Sequence, residues 1–82
     1  MIDFEKVLFN LCEPIVSDSK NLSVKRMETL DEHEICLYVY AISDDVARLI
    51  GKNGSMAYSI RQMMSVASRK EDKKITIKFE SY

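Results

Sequence analysis

Two glycines bracket a lysine and an asparagine in the stretch RLIGKNGSMAYSIRQMM, residues 48–64. They are Gly51 and Gly54, the only glycines of an 82-residue chain. A helix commonly ends on a residue with positive φ, which glycine tolerates best, and Gly51 stands at that place after an apolar helical pattern. Gly54 precedes a second such pattern, where the lack of a side chain lets another backbone come close. The amides of residues 53–56 then open a helix, and helix N-termini favour anions. Lys52 sets a cation at the tip of the turn. The chemistry this spacing offers is a grip on a phosphate backbone. Spacing alone fits a plain tight corner between two helices equally well.

Other chemistries find no support. A phosphate-binding P-loop places its lysine after the second glycine, and a Rossmann fingerprint needs G-x-G-x-x-G after a strand. Cys12 and Cys36 are far apart and match no metal-ligand spacing, so they read as reduced, small hydrophobes. The single histidine, His33, lies in an acidic turn and is assigned no role. With no activated nucleophile and no acid/base pair, the chain reads as a binding protein and not an enzyme. No cofactor and no metal are expected.

The elements that must carry the turn follow from periodicity. Phe4, Val7, Leu8, Leu11 and Cys12 recur at helical spacing. Asp3 is placed to cap that helix, and Pro14 to kink or end it. Ile15 and Val16 extend it by at most a turn before the loop SDSKN. LSVKRMET, residues 22–29, reads as a strand. EICLYVYA, residues 34–41, alternates throughout, with Ile35, Leu37, Val39 and Ala41 on one face and Cys36, Tyr38 and Tyr40 on the other. The aromatic face suits either base stacking or an ordinary sheet surface. SDDVARLI, residues 43–50, is a short helix with Ser43 as N-cap and Val46, Leu49 and Ile50 as its apolar face; Asp44 and Asp45 fall in the first turn, where the helix dipole favours acids. A second helix follows the glycine turn over residues 55–68. RKEDKK is a charged turn, and ITIKFE, residues 75–80, is a closing strand with Ile75, Ile77 and Phe79 inward. The order α-β-β-α-α-β, without repeats or linkers, predicts one α+β domain over residues 1–82, a two-layer sandwich.

Composition bounds the setting. At 46% hydrophobic the chain can bury a core without metal or disulfide staples. The N-terminal stretch carries Asp3 and Glu5 where a signal peptide needs basic residues. The longest apolar run, residues 35–42, is far short of the ~20 residues that span a bilayer. The expectation is a soluble, cytoplasmic protein without membrane insertion, and the unpaired cysteines fit a reducing compartment. The net charge of −1 conceals a division: residues 1–45 hold four Lys/Arg against ten Asp/Glu, and residues 46–82 hold eight against three. Such a chain can show one basic face to a polyanion.

LIGKNG followed by an amphipathic helix, with α-β-β before it and a strand after, resembles the KH domain in its bacterial type II arrangement. DDVARLIGKNGSMAYSIRQMM and the trailing EDKKITIKF are similar to the small single-KH proteins of the KhpA (YlqC-like) family, over the whole chain. That resemblance implies a three-stranded mixed sheet covered by three helices on one face. It implies a cytoplasmic RNA-binding protein and RNA chaperone, pairing with itself and with a larger KhpB/Jag-type KH protein, and linked to cell length, division and peptidoglycan homeostasis. KH domains clamp about four single-stranded nucleotides beside the G-x-x-G loop. The loop here would be Gly51, Lys52, Asn53 and Gly54. Val46, Ile50 and the start of the second helix would wall the groove, and Arg48 and Arg61 match basic positions of the family. Three residues depart from the pattern: Ala47 where glycine is common, Asn53 where a basic residue or glutamine is common, and Ser55 where arginine or lysine is usual. Fewer phosphate contacts mean weaker binding by one copy, which a dimer or partner offsets by avidity. The competing function is a protein-interaction module with a KH fold and weak or no RNA binding.

The second helix has one more feature. On a helical wheel Ala67, Ile60, Met64 and Ala57 share an arc wide enough to face a core. Met56, Met63 and Val66, with Ser59 among them, widen the apolar arc toward ~180°, more than a surface helix needs. Two readings stay open: the edge of a broad core face, or a dimer or partner surface built on Met63, Ser59, Val66 and Met56.

Overall fold

The computed structural model describes residues 2–82. Helix α1 spans Phe4–Cys12. The Asp3 carboxylate accepts the Lys6 amide at 3.1 Å and caps it, and its spacing buries Phe4, Leu8 and Cys12. Pro14 follows two residues after the last helical one; Ile15 and Val16 hold only a closing turn on the Cys12 carbonyl. The loop expected over SDSKN contains a single 3-10 turn, Ser19–Asn21.

Strand β1 (Ser23–Met27) is shorter than the expected residues 22–29. Leu22 is buried ahead of it, while Thr29 leaves the ladder to donate its hydroxyl to the Asp31 and Glu34 carbonyls, closing the turn into the next strand. Strand β2 (Glu34–Ala41) keeps the expected bounds, and every second residue from Ile35 to Ala41 is buried. The closing strand β3 spans Lys74–Ser81. The sheet order is β1-β2-β3, with β1 antiparallel and β3 parallel to β2. Because β2 and β3 run parallel, the chain between them must cross back over the sheet. It does so through α2 (Ser43–Ile50) and α3 (Ser55–Arg69).

One core joins the layers. Leu8 and Cys12 of α1, Ile35, Leu37 and Val39 of β2, Leu49 of α2 and Met64 of α3 are fully or almost fully buried in it. At roughly 1.5–3 kcal/mol per buried large aliphatic side chain, this cluster is the main stabilising term. All three helices share one core with the buried face of the sheet; the face carrying Cys36, Tyr38 and Tyr40 is not covered by any helix of the described residues. Burial pushes the Cys12 thiol up to about 11, so it is protonated at neutral pH and packs as a hydrophobe. No helix among the described residues is long and apolar enough to cross a membrane.

Candidate nucleic-acid interface

The candidate site is assembled by α2, the four-residue turn and the start of α3. Strand β2 runs into α2 with only Ile42 between them, and this corrects the expected cap. Ile42, not Ser43, takes the cap position with extended backbone, and no side chain caps the helix. Its carbonyl receives the Asp45 and Val46 amides, both at 2.9 Å. Ser43 is already helical, so its hydroxyl lies past the position from which a side chain caps.

Asp45 does more than face the helix dipole. Its side chain is fully buried. One carboxylate oxygen accepts the Ser17 amide and the Ser17 hydroxyl, each at 2.8 Å, and the other accepts the Asp18 amide at 3.0 Å. The α1–β1 loop is thereby tied to the first turn of α2. The Ser17 amide foremost, then the Ser17 hydroxyl, the Asp18 amide and the Arg48 charge, outweigh the opposing effect of burial and hold the carboxyl below its ordinary value of 3.8. A carboxyl with a lowered folded-state pKa stabilises the fold above the ordinary value, and that contribution is lost as pH falls through the lowered one. Thermal unfolding followed by circular dichroism from pH 7 to pH 2.5 should therefore show a loss of stability below about pH 4. In Asp45→Asn that acid-dependent loss should be smaller, on a protein already less stable at pH 7. Equal pH slopes in the two proteins would show that Asp45 does not carry the effect.

Along α2, Leu49 is buried and Val46 packs partly against the core. Ile50 departs from the expected inward face: it is 39% exposed, at the end of the helix beside the turn. The arc of α2 that meets the core is narrow, and Ile50 falls outside it. That position still suits a groove wall. The Arg48 side chain is 60% exposed, with Nε 3.8 Å from the Asp45 carboxylate. Its stem is steadied while the guanidinium keeps free donors.

In the turn, Gly51 (φ 75°, ψ 176°), Asn53 (φ 57°) and Gly54 (φ 77°) all have positive φ. Only Lys52 does not, and it is exposed at the tip. This explains the residue types. Asparagine is among the few residues besides glycine that enter the left-handed region readily, so Asn53 meets a backbone demand. The asparagine between two glycines was the available signal for this. The glycines have different duties. A Cβ on Gly51 would lie 2.7 Å from the Met56 Cβ and 2.9 Å from the Met56 nitrogen, so Gly51 is where the chain's own backbone comes close. A Cβ on Gly54 would meet nothing within 4 Å. The close approach expected at Gly54 is thus not made by the protein itself. The Gly54 amide bonds the Gly51 carbonyl at 3.1 Å and the Ser55 amide bonds the Lys52 carbonyl. Two of the four amides first assigned to an anion therefore close the turn.

Ser55 opens α3 and is exposed, as are Met56 and Ser59. Arg61 is set apart from the loop. Its Nη2 donates to the Ile77 carbonyl at 3.4 Å and its guanidinium lies 5.9 Å from the Phe79 ring centre, so it is directed to β3. Ala57, Ile60 and Met64 are buried, and Ala67 packs on the core. Met63 and Val66, each 56% exposed, do not. They are no edge of the core face but part of an outward stripe, Met56–Ser59–Met63–Val66, spaced three, four and three residues apart.

Residues 5–79 match the family described as KhpA/KhpB, KH domain. Over 50 residues the chain is 36% identical to the RNA-binding protein KhpA of Clostridium perfringens (strain 13 / Type A), a stretch covering 61% of this chain and 67% of that protein. No solved structure matches the chain. With its helix–strand–strand–helix–helix–strand order and mixed sheet of three strands, the chain belongs to the KhpA/KhpB family of KH domains.

Proposed function

We propose that this chain, acting as one KH domain, binds single-stranded RNA through α2, the Gly51–Gly54 turn and the start of α3. The observation that carries the reading is the open space over Gly54, in a turn that follows the exposed cations Arg48 and Lys52 in the chain. A sugar-phosphate backbone can come against main chain there, where any side chain would intrude, and KH domains clamp about four nucleotides in this way. The name of the Clostridium perfringens relative, RNA-binding protein, supports the same reading. Arg48 and Lys52 meet phosphates; Val46 and Ile50 supply the apolar wall on which bases rest; Ser55 gives a hydroxyl where a cation would bind more strongly. Arg61 serves a strand lying toward β3. Two phosphate contacts on single-stranded RNA give a salt slope of only about −1.4 in log–log terms, so one copy binds weakly. The experiment is a titration of the ¹⁵N-labelled chain with a short single-stranded RNA at low salt. The largest amide shifts are expected at residues 48–56. Shifts confined to other regions would overturn the site.

The same reading makes the chain a non-enzymatic RNA chaperone of the cytoplasm, working with a KhpB/Jag-type KH protein in cell-length control and peptidoglycan homeostasis. The family description, which joins KhpA with KhpB, supports the partner. A second reading, pairing of the domain, rests on the exposed stripe of α3. Its three-four-three spacing is that of a helix–helix seam, and Met63 is at its centre. Wild type should elute earlier from size exclusion as concentration rises, and Met63→Asp should remain monomeric. Identical elution of both at every concentration would end this reading.

A further inference from the structure

We infer that the open face of the sheet is a second single-stranded RNA surface, on which bases stack against Tyr38, Tyr40 and Tyr82. The inference rests on the reading of the chain as an RNA binder, but it uses none of the residues assigned above. Alternation on β2 turns Ile35, Leu37, Val39 and Ala41 into the core and leaves Tyr38 and Tyr40 on the side no helix covers. The rings of Tyr38 and Tyr40 are 6.1 Å apart and 27° from parallel; those of Tyr40 and Tyr82 are 6.0 Å apart and 30° from parallel. The result is a continuous aromatic row. Tyr82 is held in it from two sides: its amide donates to the Ala41 carbonyl at 3.2 Å, and its hydroxyl lies 3.1 Å from the Ser23 hydroxyl. Tyr82 as a residue is 68% exposed.

Cations flank the row. Lys25 of β1 is opposite Tyr38 in the register, with Nζ 5.9 Å from the Tyr40 ring centre. Lys78 of β3 is opposite Tyr38 on the other side. Glu34 and Glu80 share the face, yet among the described residues neither lysine forms an ion pair. Aromatic rings in series with free cations beside them are what single-stranded nucleic acid sites of low sequence preference consist of: each base offers a π-face to a ring and its phosphate to a cation.

A protein partner fits this face less well. The core of a protein interface is apolar and depleted of charge, whereas here the rings are interleaved with Lys25, Lys78 and Glu80. The large exposed aliphatic side chains lie elsewhere, at Leu30, Ile50, Met56, Met63 and Val66. The helices of the glycine turn cover the opposite side of the sheet, so one strand longer than the four-nucleotide clamp would engage both faces. The second contact raises affinity without new residues at the first.

The test uses the full chain with oligouridylates of four and of twelve nucleotides. The twelve-nucleotide RNA should bind about tenfold or more tightly than the shorter one, and ultraviolet crosslinking of wild type should place adducts on Tyr38, Tyr40 or Tyr82. Tyr40→Leu/Tyr82→Leu should lower the affinity for the longer RNA to near that for the shorter, with binding of the shorter unchanged. Wild-type affinity for the longer RNA in that variant, with crosslinks confined to α2 and α3, would overturn the inference. So would a variant whose RNA binding is intact but whose self-association, by sedimentation, is lost; the face would then be a protein contact. Failure of the glycine-turn site reads differently: Lys52→Asp/Asn53→Asp would leave the shorter RNA bound as in wild type. Crosslinking needs no variant, so it decides the matter even if the double leucine protein does not fold.

Discussion

Gly51→Ala is expected to destabilise the domain far more than Gly54→Ala, although the two glycines bound the same turn. At φ 75° and ψ 176° Gly51 occupies a region essentially reserved for glycine, and forcing another residue there costs about 1–3 kcal/mol. The added methyl would also press on the Met56 nitrogen and Cβ at 2.9 and 2.7 Å, well inside the ~3.5–4.0 Å at which carbon atoms rest. Those atoms open α3, so relief requires moving the helix that supplies Ile60 and Met64 to the core. The sum is about 3–5 kcal/mol, a large share of the ~5–15 kcal/mol typical of a small domain. Gly54 has ordinary left-handed backbone and open space, so its substitution costs only about 1–2 kcal/mol. Thermal unfolding should fall by about 4–8 °C for each kcal/mol. Gly51→Ala should thus lose more than about 12 °C and Gly54→Ala about a third to a half of that. Folded Gly54→Ala should nevertheless bind RNA poorly, since in the proposed site its methyl would occupy the space left for a nucleotide backbone. Equal loss of stability in both variants would contradict the division of labour between the two glycines.

Much of this arrangement was legible in the sequence because it is set by local physics. The alternation of β2 gave its bounds and its buried face, since period-two patterning is forced on a strand with one covered side. Asp3 and Pro14 framed α1 because capping and the missing proline amide act within a few residues. The glycine turn was legible for the same reason. What escaped depends on distant partners. Asp45 read as a helix-dipole residue; its hydrogen bonds reach back 28 and 27 positions to Ser17 and Asp18, and no local pattern carries that. Ser43 looked like the cap because the β2–α2 junction admits a shorter connection than the sequence shows. The helical wheel gives the width of the α3 arc but not which part of it meets the sheet; the exposure of Met63 and Val66 sets them outside that part. Tyr38 and Tyr40 were placed on the free face, while Tyr82, beyond the expected end of β3, joins them only through the sheet.

The largest functional effect is expected from charge at the turn. Lys52→Asp reverses a cation and Asn53→Asp adds an anion, both at exposed positions. Neither change strains the backbone: aspartate, like asparagine, accepts the left-handed conformation of residue 53, and residue 52 has no such demand. A unit charge about 4 Å from a phosphate is worth about 1 kcal/mol in water, and the reversal counts twice. The double variant should therefore lose about 3 kcal/mol, or more than about 100-fold in affinity, with its circular dichroism spectrum and unfolding temperature close to wild type. Retention of a short single-stranded RNA on filters at low salt, wild type beside Lys52→Asp/Asn53→Asp, is the most direct test of the proposed RNA-binding site. Retention by wild type and its loss in the folded double variant is the predicted result. Equal retention by both would contradict the assignment of the Gly51–Gly54 turn.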